Sequence, residues 1–208
     1  MTELTFYTNP MSRGRIVRWM LEETGISYTT EIIDYAEIKN PAYLKVNPMG
    51  KVPAITHGKK VVTECAAICA YLADTFADAG LAPAPSDRAD YYRWLFYAAG
   101  PMEHAIINSS LGFELTAEQY RTAGYGNLQL VVDVVAEAVN GRQFLCNDQF
   151  SAADVYLGSQ LAWGLQFGTL PKRHEFEEYV SGLVQRPAYI RAAELDDALL
   201  APITADPD

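Results

Sequence analysis

Residues 4–8, LTFYT, alternate apolar and polar side chains and run into Asn9-Pro10, a pattern that predicts a short strand. From Ser12 the period lengthens. Ile16, Val17, Met20 and Leu21 recur at helical spacing, Ser12 is a candidate N-cap and Gly25 a stop, so a helix to about Glu23 follows. Residues 27–33, SYTTEII, read as a second strand, which makes a βαβ unit with parallel strands. Residues 34–50 are mixed loop and short helix, punctuated by Pro41, Pro48 and Gly50. Residues 52–56, VPAIT, and 60–63, KVVT, predict a hairpin turning around Gly58. In 64–78, Ala67, Ile68, Tyr71, Leu72 and Phe76 return to helical spacing.

The order β-α-β, β-β-α predicts a four-stranded mixed sheet with helices on its faces, the thioredoxin-like plan. Residues 80–86, GLAPAPS, are the strongest linker in the chain. Beyond it strand patterns stop, and helices are expected near 87–111, 117–140, 152–167, 175–185 and 188–199, with a loose tail, APITADPD. The expected fold is therefore an α/β domain at 1–79, a linker at 80–86 and an all-α domain at 87–208.

Charge narrows the partners. The chain carries a net charge of −10. Residues 1–80 are near balance, with 8 Lys/Arg against 9 Asp/Glu, while 81–208 hold 8 against 17. An acidic chain opposes nucleic acid and anionic membranes as partners, because neutralising phosphate needs a basic face. A small anionic ligand is better placed on the first part. No run approaches the ~18 apolar residues of a membrane span, and MTELTFYTNP lacks the charged and apolar regions of a secretory signal, so Met1 is expected to open the mature protein. The cysteines are Cys65, Cys69 and Cys146. Three is too few and an odd number for a disulfide framework, and the set suits a reducing cytoplasm. Cys65 and Cys69 share a helix face, but zinc would need further ligands, and core packing is the preferred reading.

Three segments carry specific chemistry. VNPMGKVPAI, from Val46, leads into TECAAICAYLAD; FYTNPMSRGRIVRWMLEETG precedes them; FSAADVYLGSQLAW lies in the second half. In this order they resemble the glutathione transferase family, in a bacterial, theta- or beta-like, serine-type form. The resemblance implies glutathione as co-substrate, an electrophilic small molecule as the second substrate, no metal, a cytoplasmic homodimer, and a transferase, with detoxification as its role. The rival classes are a glutathione-binding or assembly protein without turnover, and a glutathione-dependent peroxidase or isomerase.

In that family the bond before the matching proline is cis, so Val52 and Pro53 are expected to present the Val52 N–H and C=O to the tripeptide as an added strand. Glu64 and Cys65 open a helix whose N-terminus suits the γ-glutamyl carboxylate. The family usually has serine where Cys65 stands, and a thiol is the weaker donor. Arg13, Lys39 and Lys51 flank the proposed pocket as candidate carboxylate partners; Arg15 is read as solvated. The thiol of glutathione titrates near ~8.5 unaided, so a donor must favour the thiolate. Ser12 leads, at the mouth of its helix, followed by Tyr7 and Asn9. Ser12 as a plain helix cap stands about level with the catalytic reading. Tyr97, Glu103 and His104 are candidates for the electrophile site. Ser151 and Asp154 form a capping box with a structural role. His57 and His174 have no metal partner set.

Overall fold

A computed structural model of the chain describes residues 3–146 and 149–200. The tail expected to be loose, 201–208, lies outside the described residues. The described residues form two compact units, one from the chain up to Leu81 together with the chain from Arg186 onward, the other between Ala82 and Gln185.

The first unit is built on β1 (Leu4–Thr8), α1 (Gly14–Thr24), β2 (Thr29–Ile32), a single turn α2 (Pro41–Leu44), β3 (Ala54–His57), β4 (Lys60–Thr63) and α3 (Cys65–Thr75). The sheet order is β2-β1-β3-β4, with β1 parallel to β2 and antiparallel to β3, the mixed thioredoxin-like sheet expected. Alternation along β1 divides its faces. Leu4, Phe6 and Thr8 are buried, and the guanidinium of Arg18 on α1 lies 5.2 Å from the Phe6 ring. Tyr7 faces the other way, its ring 5.9 Å from that of Tyr43 on α2.

Two boundaries moved. β3 begins at Ala54 rather than at 52, because Pro53 has no N–H for the ladder; the Val52–Pro53 bond is cis. α1 begins at Gly14 rather than at Ser12, with Arg13 as its N-cap, and ends at Gly25 in the left-handed conformation that glycine adopts without a Cβ penalty.

The last helix of the described chain, α9 (Pro187–Leu200 in chain order), also belongs to the first unit, although the sequence reading grouped it with the helical part. The cause is a charge pair that pattern alone does not reveal. Arg18 and Asp196 are 3% and 0% exposed, and Arg18 Nε donates to Asp196 Oδ1 at 2.7 Å. Around this pair, Arg186 grips Glu23 through two bonds of 2.6 and 2.9 Å, and Trp19 packs edge-on to Tyr189.

The second unit holds α4 (Ala89–Tyr97), α5 (Glu103–Ser110), α6 (Leu128–Val139), α7 (Ala152–Phe167) and α8 (His174–Leu183). The helix expected over 87–111 is interrupted at Ala98–Met102 by a π-helical turn containing Pro101, which has no N–H to continue the ladder. Gln160 Nε2 donates to the Ala98 carbonyl there at 3.3 Å. The helix expected over 117–140 starts only at Leu128, after Gly124 and Gly126. Before α7, Ser151 and Asp154 form the expected capping box, and buried Asp154 also accepts from the Leu145 N–H (2.8 Å) and the Tyr179 hydroxyl (2.6 Å).

Candidate functional site

Strand register gathers the candidate residues of the first unit at one end of the sheet. Tyr7 pairs with Ala54, and Ala54 with Thr63. The end of β1, which leads into α1, therefore lies beside the start of β3, which follows Val52–Pro53, and the start of β3 lies in turn beside the end of β4, which leads through Glu64 into α3. The Cys65 thiol donates to the Arg13 carbonyl at 3.5 Å, so the openings of α1 and α3 touch. Neither helix has an acidic residue in its first turn. The partial positive charges of two helix ends thus meet in one place beside exposed Glu64, an arrangement that attracts a carboxylate or a thiolate, although the first three N–H groups of α1 are already bonded to Ser12 and Arg13.

The loop before β3 is held by its carbonyls. Buried Tyr43 donates its hydroxyl to the Lys51 C=O at 2.6 Å, and the Asn47 side chain donates to the same oxygen at 2.7 Å. Burial pushes the Tyr43 hydroxyl up to about 12, opposed by the bond to Asn47. Lys39 Nζ donates to the Met49 carbonyl at 2.9 Å, which ties it to the same loop. Pro53 is buried, and Val52, half-buried, lies outside the ladder that starts at Ala54. Its N–H and C=O are thus spared from sheet pairing, as an added strand requires. Tyr43 and Asn47 did not figure among the sequence candidates. The signal for Asn47 was its place in Asn47-Pro48, a turn pair in which asparagine bonds nearby backbone; Asn47 Oδ1 indeed accepts from the Met49 N–H at 3.1 Å.

Glu64 has φ 66° and ψ 119°, the one non-glycine residue with positive φ among those described. Such a conformation costs of order 1–3 kcal/mol and persists where its surroundings enforce it, often at functional sites.

The three candidates for the thiol sit differently. Ser12 is half-buried; its hydroxyl donates to the Asn9 carbonyl at 2.6 Å and accepts the Gly14 N–H at 2.9 Å. A carbonyl only accepts, so the single hydroxyl hydrogen of Ser12 is directed at Asn9. Asn9 is buried and shapes the turn: its Nδ2 donates to the Ile33 carbonyl (3.0 Å) and its Oδ1 accepts from the Met11 N–H (2.9 Å). Tyr7 lies on the sheet face of α2, opposite the face of Phe6 and Thr8. Arg13 is exposed at the helix opening. Arg15, read as solvated, is instead tied down: Nε donates to the Pro10 carbonyl at 2.6 Å and Nη2 pairs with Asp197 at 2.7 Å. Gly14 sits so close to Thr8 that a Cβ there would overlap the Thr8 hydroxyl.

In the second unit, half-buried Tyr97 packs against Trp94, and burial raises its hydroxyl pKa. His104 is exposed, its Nδ1 2.7 Å from the Gly100 carbonyl and its ring stacked on Tyr125. Glu103 is the first residue of α5. The cysteines are all buried and none is in a disulfide, and burial pushes Cys146 up to about 11. Among the described residues no group of three or more His, Cys, Asp or Glu is arranged to hold a metal ion, and no helix is long and apolar enough to cross a membrane.

Residues 2–74 match the model of the glutathione S-transferase N-terminal domain. Glutathione S-transferase GstA of Escherichia coli O157:H7 is 30% identical over 188 residues, covering 87% of this chain and 90% of its own. The chain belongs to the glutathione S-transferase family. Glutathione S-transferase GST-4.5 of Xanthomonas campestris is 26% identical over 176 residues, covering 79% of this chain and 84% of its own. Among solved structures, the sphingomonad glutathione S-transferase complexed with glutathione is 27% identical with a TM-score of 0.76, covering 93% of this chain and 98% of that one. The sheet end described above lies within or beside the matched N-terminal segment, so the features gathered there belong to the glutathione S-transferase part of the chain.

Proposed function

We propose that this chain is a glutathione transferase that binds glutathione at the end of the sheet and delivers its thiolate to an electrophilic small molecule. The observation that carries this reading is the meeting of two helix openings at one sheet end, close in the fold to a cis-proline loop whose Val52 backbone is spared from pairing. Val52 pairs with the cysteinyl backbone of the tripeptide, and Pro53 keeps that edge open. The γ-glutamyl carboxylate sits at Glu64–Cys65, on the N–H groups of α3. Arg13, Lys39 and Lys51 supply positive charge for the remaining carboxylate.

Lowering the thiol of glutathione by about two pKa units takes about 2.7 kcal/mol. The opening of α1 supplies part of this through its dipole. Ser12 supplies the rest by turning its hydroxyl from the Asn9 carbonyl onto sulfur, with Asn9 and Tyr7 as the alternative donors. Tyr97, Glu103 and His104 of the helical unit serve the electrophile. By the family resemblance the protein is a cytoplasmic homodimer with a role in detoxification. Positioning of the two substrates and a stabilised nucleophile then account for the catalysis.

The test is a calorimetric titration with glutathione, followed by ultraviolet detection of bound thiolate in the wild type and in Ser12→Ala. The expected result is binding in both, with the thiolate band lost in the variant. An unchanged band removes Ser12 from the mechanism, and absence of binding removes the whole reading. A second reading, a glutathione-binding protein without turnover, is favoured by the commitment of the Ser12 hydroxyl to Asn9. Binding without thiolate, and no activity on aryl halides, epoxides or peroxides, would select it.

A further inference from the structure

The second unit contains a cavity of about 490 Å³, bounded by the last turn of α5, the loop after it and the opening of α6. This falls within the ~300–1,000 Å³ typical of small-molecule sites. Tyr97, Glu103 and His104 do not line it, nor does any residue of the first unit, so it is separate from the glutathione site proposed above.

The wall determines what fits. Phe113, Tyr120 and Tyr125 are among its lining residues, and the face of an aromatic ring is electron-rich. Glu114 is the one charged side chain on the wall, and no Lys or Arg accompanies it. Residues 82–185 carry 6 Lys/Arg against 12 Asp/Glu, so the surrounding field has the same sign. At the opening of α6 the Asn127 side chain accepts the Leu130 N–H at 2.8 Å, which satisfies one of the N–H groups of that helix end. The Tyr125 ring is held in advance from two sides. Asn108 Nδ2 donates to its hydroxyl at 2.8 Å, and the His104 ring stacks on it with 6.2 Å between centroids and 16° between planes. A ring fixed before binding loses little freedom on contact with a ligand.

We propose that this cavity binds an organic ammonium ion with an apolar body. The cation rests against the aromatic rings and Glu114, and the apolar body covers Leu115 and Leu128. Benzyltrimethylammonium is the probe, titrated calorimetrically into the full chain beside its neutral carbon analogue and benzenesulfonate. The expected result is saturable binding of the cation, with the neutral analogue about fivefold weaker and no binding of the anion. Glu114→Gln should weaken the cation about threefold and Tyr125→Leu about fivefold, both without change in glutathione binding. Ser109→Trp, which fills the cavity from exposed Ser109 on α5, should abolish cation binding even if Tyr125→Leu fails to fold. Equal affinity for cation and neutral analogue, undiminished binding in Glu114→Gln and Ser109→Trp, or no saturable binding of the cation would each overturn the proposal.

Discussion

Replacing Glu64 by glycine should make the protein more stable and a poorer ligand for glutathione. Glu64 holds φ 66° and ψ 119°, and its side chain is exposed, so little packing is lost when it is removed. The backbone strain released is about 1–3 kcal/mol. Glycine adds freedom to the unfolded chain and returns about 0.5–1 kcal/mol of that gain. The net expectation is a stabilisation of up to about 2.5 kcal/mol, read as a higher urea midpoint with an unchanged slope. Glu64→Ala is the comparison, because it keeps the Cβ and therefore the strain, and its stability should stay near that of the wild type. Both variants should bind glutathione more weakly in the same buffer if the acidic side chain serves the tripeptide. If the glycine and alanine variants unfold at the same urea concentration, the strain argument is refuted. If both bind glutathione as well as the wild type, the role given to the Glu64 side chain is refuted.

Gly14→Ala should cost about 2 kcal/mol or more through overlap with the Thr8 hydroxyl, and Thr8→Ala in the same chain should recover part of the loss in urea unfolding. Asp196→Ala should cost about 3–5 kcal/mol because it leaves the Arg18 guanidinium buried and unpaired, whereas Asp197→Ala, whose partner Arg15 is partly solvated, should cost under about 1 kcal/mol; thermal unfolding of the two variants separates these cases. Tyr43 ionises at about 12 in the fold against 10.0 for the free side chain, chiefly through burial, so the folded state holds its proton longer than the unfolded one. Its contribution to stability is complete below pH 10 and is lost between pH 10 and about 12, and Tyr43→Phe should flatten the fall of the urea midpoint across that window.

Much of this architecture was legible because periodicity reports which face of an element is apolar. The turn from LTFYT into a helix carrying Ile16, Val17, Met20 and Leu21 appears in the chain as it appears in the fold. Periodicity does not report what that face packs against. The helix at 187–200 was readable, but its attachment to α1 depends on Arg18 and Asp196, which read as ordinary surface charges until they are seen paired and buried 178 positions apart. Breaks within helices were written locally and under-read: Gly100-Pro101 inside 87–111, and Gly124 with Gly126 inside 117–140. At the candidate site, the resemblance singled out Val52-Pro53 and Glu64-Cys65, which the register places at neighbouring strand ends. The direction of the Ser12 hydroxyl could not be read, since a cap and a thiol donor call for the same residue at the same place. Tyr43 was hidden for a related reason: an aromatic residue in a single helical turn signals burial, and nothing in its surroundings marks the Lys51 carbonyl as its partner.

The return of α9 to the first unit has a consequence for biosynthesis. Ribosomes deliver Arg18 early, yet its carboxylate partner is made 178 residues later. A nascent chain that has exposed only its first 81 residues holds a sheet with an arginine that must stay hydrated, so the half synthesised first is the half completed last. Polypeptides truncated anywhere before Asp196 should consequently be recognised by proteases as unfinished, even when every strand is present.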